Sequence, residues 1–184
     1  GENQSGKISE IGFNLYHDLL KRTIHAIKNN KQLDIKEALT EEVEINPGIA
    51  CIIPDTYLPD VHERLILYKR IASANNEEEL KDLKIEMIDR FGLLPDSTSN
   101  LFESSSLKNY SNDIGVLKIN IYDDKAEITL NEKNSIDASK IIDLIQTKPT
   151  QYQLKNQNTI VINESMEPDM SRIIKISKLL STIA

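Results

Sequence analysis

The sequence is poor in the residues that would stabilise it covalently or anchor it in a membrane. It has no tryptophan, three phenylalanines and a single cysteine, Cys51, in 184 residues. A lone thiol cannot form a disulfide within the chain, and inside the apolar run at residues 49–53 it is predicted to be buried and inert. No run approaches the ~18 apolar residues of a membrane-spanning helix. We therefore expect an aliphatic core, no membrane association and a reducing, cytoplasmic location.

Catalytic motifs are also missing from the sequence. It contains no glycine-rich phosphate loop followed by lysine and no Gly-x-Ser-x-Gly nucleophile motif. The three histidines, at positions 17, 25 and 62, are not at metal-ligand spacing. Asp55, Asp60 and Glu63 could be read as a divalent-cation site, but turn and capping roles already explain them. The prediction is a binding module without catalytic activity, metal or cofactor.

Basic side chains are too few to balance the acidic ones. The net charge is -7, and residues 36–111 account for it, with fifteen acidic and eight basic side chains. Proteins bind nucleic acid chiefly through lysine and arginine, which displace counterions from the phosphates. This balance argues against a nucleic-acid footprint and favours a partner with a basic surface.

The middle of the chain predicts two capped helices. Pro54 and Pro59 keep the entry extended. Asp60 and Asn76 are predicted N-caps, each followed three residues later by a glutamate that would complete a capping box. The apolar positions predicted to be buried are Val61, Leu65, Tyr68 and Ala72 in the first helix, and Leu80, Leu83, Met87 and Phe91 in the second. Gly92 is predicted to end the second helix, and Pro95 prevents its resumption.

The second of these helices carries an acidic stripe. Glu79, Asp82, Glu86 and Asp89 fall at helical spacing, and Arg90 follows Glu86 at i,i+4. The stripe is either a solvated face or a docking surface for a basic partner. A small basic patch at Arg64, Lys69 and Arg70 is interpreted as ion pairing between adjacent helices.

The rest of the chain predicts an α+β fold, with a helical N-terminal half followed by a ββαββα antiparallel sheet that has helices on one face. A helix over residues 8–29 carries two apolar stripes, which predicts a contact with a missing neighbour or a weak dimer along Phe13, Tyr16, Leu20 and Ile24.

Two short strands are expected at residues 42–45 and 50–53, and a third helix at residues 95–114. Alternation predicts a hairpin with Leu117, Ile119 and Ile121 buried. Helices over residues 135–147 and from Pro168 are predicted to bury Ile141, Ile142, Ile145, Ile173, Ile174 and Leu180, among others.

Several motifs together resemble the C-terminal domain of bacterial transcription-repair coupling factors. They are Ile53-Pro54-Asp55, Tyr57-Leu58-Pro59, Arg64-Leu65, Tyr68-Lys69-Arg70, Glu86, Asp89-Arg90-Phe91-Gly92, Pro95, Asn100-Leu101 and Ile114-Gly115. Residues 4–16 also resemble the segment that leaves the second motor lobe of the same family. The combination covers more than forty residues with its spacing intact.

The resemblance implies a division of the chain and a role. Residues 1–35 would be the helix and linker that leave the helicase motor lobe, and residues 36–184 the C-terminal regulatory domain. In the similar family, an ATP-driven DNA translocase removes stalled RNA polymerase and recruits nucleotide-excision repair. Its C-terminal domain docks on an N-terminal UvrB-like module and masks the UvrA-binding surface. Carried onto this sequence, Glu86 and Asp89 would face the partner's arginines, Arg90 would orient them, and Glu79 and Asp82 would extend the patch. A nucleic-acid-binding module built on the C-terminal sheet remains the alternative.

Overall fold

A computed structural model describes residues 43–184 of the chain. Ten elements follow one another there: β1 (Glu44–Asn46), α1 (Val61–Ser73), α2 (Glu77–Phe91), α3 (Asp96–Asp113), β2 (Val116–Ile121), β3 (Lys125–Leu130), α4 (Ala138–Thr147), β4 (Tyr152–Asn156), β5 (Thr159–Asn163) and α5 (Ser171–Ile183). The predicted helix at residues 8–29, its apolar contact and the division after residue 35 fall outside the described residues. Within residues 43–184, none of the helices has the length and apolar character needed to cross a bilayer.

The strands form one mixed sheet in the order β1-β2-β3-β5-β4. Neighbouring strands from β2 onward are antiparallel, whereas β1 pairs with β2 in parallel. The α+β class is confirmed. The prediction of a wholly antiparallel sheet is wrong at this edge, because the chain leaves β1, passes through three helices and re-enters the sheet at β2, which runs parallel to β1.

The sheet buries one face against α3 and α5. Alternation places Ile119, Ile128 and Ile160 in register on this face. Buried side chains of the helices pack on them: Leu107 from α3, and Ile173, Ile176, Leu180 and Ile183 from α5. A bulge between Val116 and Lys118 shifts the alternation, so that Val116 is buried in place of the predicted Leu117.

Helices α1, α2 and α3 enclose a second apolar core. Its buried members include Leu67, Ile71, Leu80, Leu83, Met87 and Phe102. The prediction for α2 is confirmed at Leu80, Leu83 and Met87, with Phe91 half-buried beside them. The prediction for α1 is wrong at Val61, which is exposed, and Leu67 and Ile71 form the buried face of the helix, although Tyr68 is half-buried against the same core as predicted. Both sets have helical spacing, and only the position of the neighbouring helices selects one of them.

The segment at residues 50–53 is not the predicted strand. Its backbone bonds to the start of α3 instead: the Ile52 amide donates to the Ser97 carbonyl at 3.1 Å. In return, the Thr98 hydroxyl donates to the Ile52 carbonyl at 3.1 Å, and the side-chain amide of Asn100 donates to the Ala50 carbonyl at 3.0 Å. Two buried polar side chains of α3 therefore satisfy backbone groups that a second strand would have satisfied.

The two C-terminal helices begin three residues later than predicted. Asp137 accepts the Ser139 amide at 2.9 Å and caps α4, and α5 begins at Ser171 rather than with Pro168. Ile142 and Ile174, which were predicted to be buried, are 51% and 45% exposed. Ile176 takes the central buried position in α5, because the helix is rotated so that residues 173, 176 and 180 face the sheet.

Arg172 of α5 is buried and joins three parts of the chain that are distant in sequence. Its guanidinium donates to backbone carbonyls and to one carboxylate: Glu167 O and Met166 O at 2.7 Å, Pro47 O and Gly48 O at 3.3 Å, and Asp123 Oδ1 at 2.8 Å. These contacts occupy the five N–H donors of the side chain. Gly48, with φ of 70°, approaches so closely that a Cβ there would lie 2.7 Å from Arg172 Nη1. This cluster fixes the chain leaving β1 against the β2–β3 turn.

Candidate functional site on the α1–α2 hairpin

The α1–α2 hairpin, which carries the predicted acidic stripe, is held at both ends by specific hydrogen bonds. Asp60 accepts the Glu63 amide at 2.8 Å, and Asn76 accepts the Glu79 amide at 2.9 Å, which confirms both predicted N-caps. The Tyr57 hydroxyl donates to the Gly92 carbonyl at 2.9 Å and fastens the end of α2 to the segment before α1. The site is therefore built on two helices with fixed ends.

A chain of ion pairs links the two helices. Arg70 of α1 donates two hydrogen bonds to Glu86 of α2, at 2.8 and 2.6 Å. Arg90 donates to Glu86 at 3.0 Å and also reaches Glu63 of α1. We call these four residues the seam network. The predicted ion pairing is confirmed for Arg70, whereas Arg64 donates to the Leu58 carbonyl at 2.6 Å.

The seam network lowers the pKa of Glu86. The hydrogen bonds from Arg70, and then those from Arg90, hold the pKa of Glu86 at about 2, below its ordinary value of 4.5. The carboxylate is about a third exposed, so solvent screening limits the contribution of its pair with Arg70 to ~1 kcal/mol or less. The network acts mainly by fixing the orientation of the two helices.

The structure divides the predicted stripe into two groups. Glu86 and Arg90 turn toward α1 within the seam network, and Glu79 accepts the Asn75 amide at 2.9 Å as part of the cap of α2. Asp82 and Asp89 lie on the exposed side, away from the buried Leu83 and Met87, and form no ion pair within residues 43–184. Within residues 43–184, the two aspartates are thus the members of the stripe whose carboxylates are not engaged by the seam network or by the cap of α2.

A shallow groove of about 330 Å³ runs between the two helices beside the seam network. Its lining is mostly charged or polar: Arg70, Ser73, Ala74, Glu79, Asp82, Leu83 and Glu86. Three of these side chains are acidic and one is basic, so the groove is suited to a cationic side chain.

Two sets of contacts that hold the domain together were not predicted from the sequence. Glu63 was read only as half of a capping box, yet its carboxylate pairs with Arg90, twenty-seven positions away. The buried Arg172 was not singled out at all. Neither partner lies at a local spacing such as i,i+4, so no sequence pattern indicates these contacts.

The outer face of the sheet, which is opposite the helices, has few uncompensated basic groups. Lys118 pairs with Glu44 at 3.0 Å, and Lys125 and Lys155 both pair with Glu127, at 3.0 and 3.3 Å. The Asn46 amide donates to the Asn120 side chain at 2.8 Å on the same face. These three lysines therefore face two glutamates, which leaves a net charge of +1 among the five side chains.

Comparison with known proteins identifies the domain. The family model described as "TRCF domain" matches residues 48–141, which contain the whole α1–α2 hairpin. The chain belongs to the TRCF domain family. The transcription-repair-coupling factor of Escherichia coli K12 is 34% identical over 173 residues, and the match covers 94% of this chain and 15% of that protein. The protein of the same name from Haemophilus influenzae is 35% identical over 184 residues, covering 100% of this chain and 16% of the relative.

A solved structure supports the fold of this TRCF domain. The crystal structure of the C-terminal domain of a transcription-repair coupling factor superimposes with a TM-score of 0.60 at 21% identity, covering 77% of this chain and 95% of that one. The resemblance stated from the sequence motifs is confirmed. Because the chain spans only about a sixth of the length of these two relatives, the activity of the whole proteins is not thereby assigned to it.

Proposed function

We propose that this TRCF domain is the C-terminal regulatory domain of a transcription-coupled DNA repair translocase. In this proposal it docks on a UvrB-like module of the same protein and masks the surface that binds UvrA, so repair recruitment stays off until the motor engages RNA polymerase. The domain itself would carry no catalytic activity, cofactor or metal, and would act in the cytoplasm.

The observation that carries this proposal is the exposed pair Asp82 and Asp89 on a rigid helix. Their carboxylates have no basic partner within residues 43–184, although Arg70 and Arg90 lie nearby and are already engaged by Glu86 and Glu63. A helix whose orientation is fixed in advance loses little freedom on docking. Arginines of a partner could form charge-assisted hydrogen bonds to these two acids.

The alternative, a nucleic-acid-binding module on the sheet, has less support. Its basic side chains Lys118, Lys125 and Lys155 are each paired with a glutamate. Binding to phosphates would have to break these pairs, and the net charge of -7 would oppose it. We therefore expect no direct nucleic-acid binding.

The test compares two double variants, each lacking two acidic side chains. Both are made in the full-length protein to which we propose that this domain belongs. Removing both acids of the exposed pair, as Asp82→Ala with Asp89→Ala, should raise the affinity for UvrA in the absence of ATP about tenfold or more, because a larger fraction of molecules exposes the masked surface. The control removes two exposed acids of the sheet half, as Glu132→Ala with Asp143→Ala, and should leave UvrA affinity unchanged. Equal UvrA affinity in wild type and the Asp82/Asp89 variant would contradict the docking role.

Glu86→Ala is a separate arm of this test. It removes the acceptor of the Arg70 and Arg90 hydrogen bonds, so it also loosens the α1–α2 hairpin. A rise in UvrA affinity with Glu86→Ala alone would report the disturbed hairpin, whereas a rise with the Asp82/Asp89 variant reports the surface that meets the partner. Urea unfolding of each variant separates the two causes.

A further inference from the structure

Two isoleucine side chains are exposed on the α1–α2 hairpin, which also carries Asp82 and Asp89. Ile85 of α2 is 48% exposed and lies between Asp82 at i-3 and Asp89 at i+4. Ile66 of α1 is 43% exposed. Single exposed aliphatic side chains are common on protein surfaces, so what matters is whether these two belong to one surface.

The seam network sets the register that brings them together. Arg70 pairs with Glu86 and Glu63 pairs with Arg90, so the stretch 63–70 of α1 lies alongside the stretch 86–90 of α2 in the opposite direction. Ile66, near the middle of the first stretch, is therefore level with Asp89 or its immediate neighbours. Ile85 lies one helical turn from Asp89 on α2.

Both isoleucines also project on the outer side of the hairpin. The buried side chains of α1 are Leu67 and Ile71, and those nearest Ile85 in α2 are Leu83 and Met87. Residues 66 and 85 are turned away from these positions on their helices. The outer side of the hairpin thus combines two apolar side chains with two acids that have no ion pair within the described residues.

Protein interfaces commonly combine apolar side chains at the centre with charged groups at the rim. We propose, as a development of the docking function above, that Ile66 and Ile85 form the apolar centre of the docking surface and that Asp82 and Asp89 form its rim. The occupant is a protein surface that presents an apolar or aromatic side chain flanked by arginines. Guanidinium groups match the rim because they bond carboxylates bidentately and are less strongly hydrated than ammonium groups.

The experiment substitutes the two isoleucines in the full-length protein. In Ile66→Ser with Ile85→Ser, the exposed apolar area is lost while helix propensity is nearly unchanged, because isoleucine and serine rank together. The matched control, Ile142→Ser with Leu154→Ser, removes two side chains that are each 51% exposed in the sheet half. UvrA affinity without ATP is measured at about 0.1 M and about 0.5 M salt, since ionic contacts at the rim are screened at the higher concentration.

We expect the Ile66/Ile85 variant to raise UvrA affinity about tenfold at both salt concentrations, and the control to leave it unchanged. The Asp82/Asp89 variant should lose much of its effect at the higher salt concentration. If the aspartate variant raises UvrA affinity and the isoleucine variant does not, the apolar centre is wrong and the docking function stands. If neither variant changes UvrA affinity, both proposals are wrong. An equal rise with the control would show that the loss of any exposed apolar side chain suffices, and would overturn the apolar centre.

Discussion

Substituting Arg172 with methionine should destabilise the domain mainly through backbone carbonyls rather than through loss of an ion pair. The carboxylate partner, Asp123, is 88% exposed, so it remains solvated when the guanidinium is removed. The usual penalty of ~3–5 kcal/mol for leaving a buried charge unpaired therefore does not apply. Four carbonyls lose a donor instead: those of Pro47, Gly48, Met166 and Glu167.

The expected magnitude follows from those carbonyls. A buried polar group left without its partner costs ~1–3 kcal/mol. Only the bond to Met166 is buried, the other three are partly buried, and those to Pro47 and Gly48, at 3.3 Å, are the longest. Methionine fills most of the space of the arginine stem, so packing loss is small. We expect Arg172→Met to lower the free energy of unfolding by about 3 kcal/mol, a large part of the ~5–15 kcal/mol typical of a domain.

Urea unfolding followed by circular dichroism measures this change, with Asp123→Asn as the matched variant. Asp123→Asn keeps an oxygen that can accept from Arg172 but removes the carboxylate that contacts the buried guanidinium, so it should cost less than Arg172→Met but more than the ~0.5 kcal/mol of an ordinary surface substitution. A loss for Asp123→Asn as large as that for Arg172→Met would refute the reasoning, since it would show that the ion pair dominates. A loss below about 1 kcal/mol for Arg172→Met would refute it as well.

Two further predictions concern ionisation and backbone conformation. Arg70 and Arg90 lower the pKa of Glu86 in the folded state, so the stability gained is present above pH 4.5 and is lost as the pH falls toward about 2. The difference in unfolding free energy between wild type and Glu86→Gln should therefore shrink from pH 7 to pH 3. A difference that stays constant with pH would contradict this prediction. Gly48→Ala should cost more than about 2 kcal/mol, because its Cβ would lie 2.5 Å from the Ile121 carbonyl oxygen. Gly92→Ala, at φ of 88° and ψ of -170° but with no atom within 4 Å of the added Cβ, should cost only the backbone strain of about 1–3 kcal/mol. A loss at Gly92 as large as that at Gly48 would argue against the steric cause.

Features that depend on local spacing could be predicted from the amino-acid sequence. The N-caps Asp60 and Asn76, the stop at Gly92 and the β2–β3 hairpin all follow from hydrogen bonds or dihedral preferences within a few residues. The motifs of the α1–α2 region also carried the family resemblance, because their turn residues and helix ends occur in a specific order.

Which elements pack against one another could be seen only in the folded domain. α1 has apolar residues at two sets of helical positions, and packing against α2 and α3 buries Leu67 and Ile71. Glu86 turns inward because Arg70, sixteen residues earlier, is brought beside it, and Arg172 is buried because the carbonyls of Pro47 and Gly48 come from about 125 residues away. Periodicity shows that a side chain lies on a certain face of its own helix or strand. What that face meets depends on contacts between distant segments, which form only when the whole domain packs.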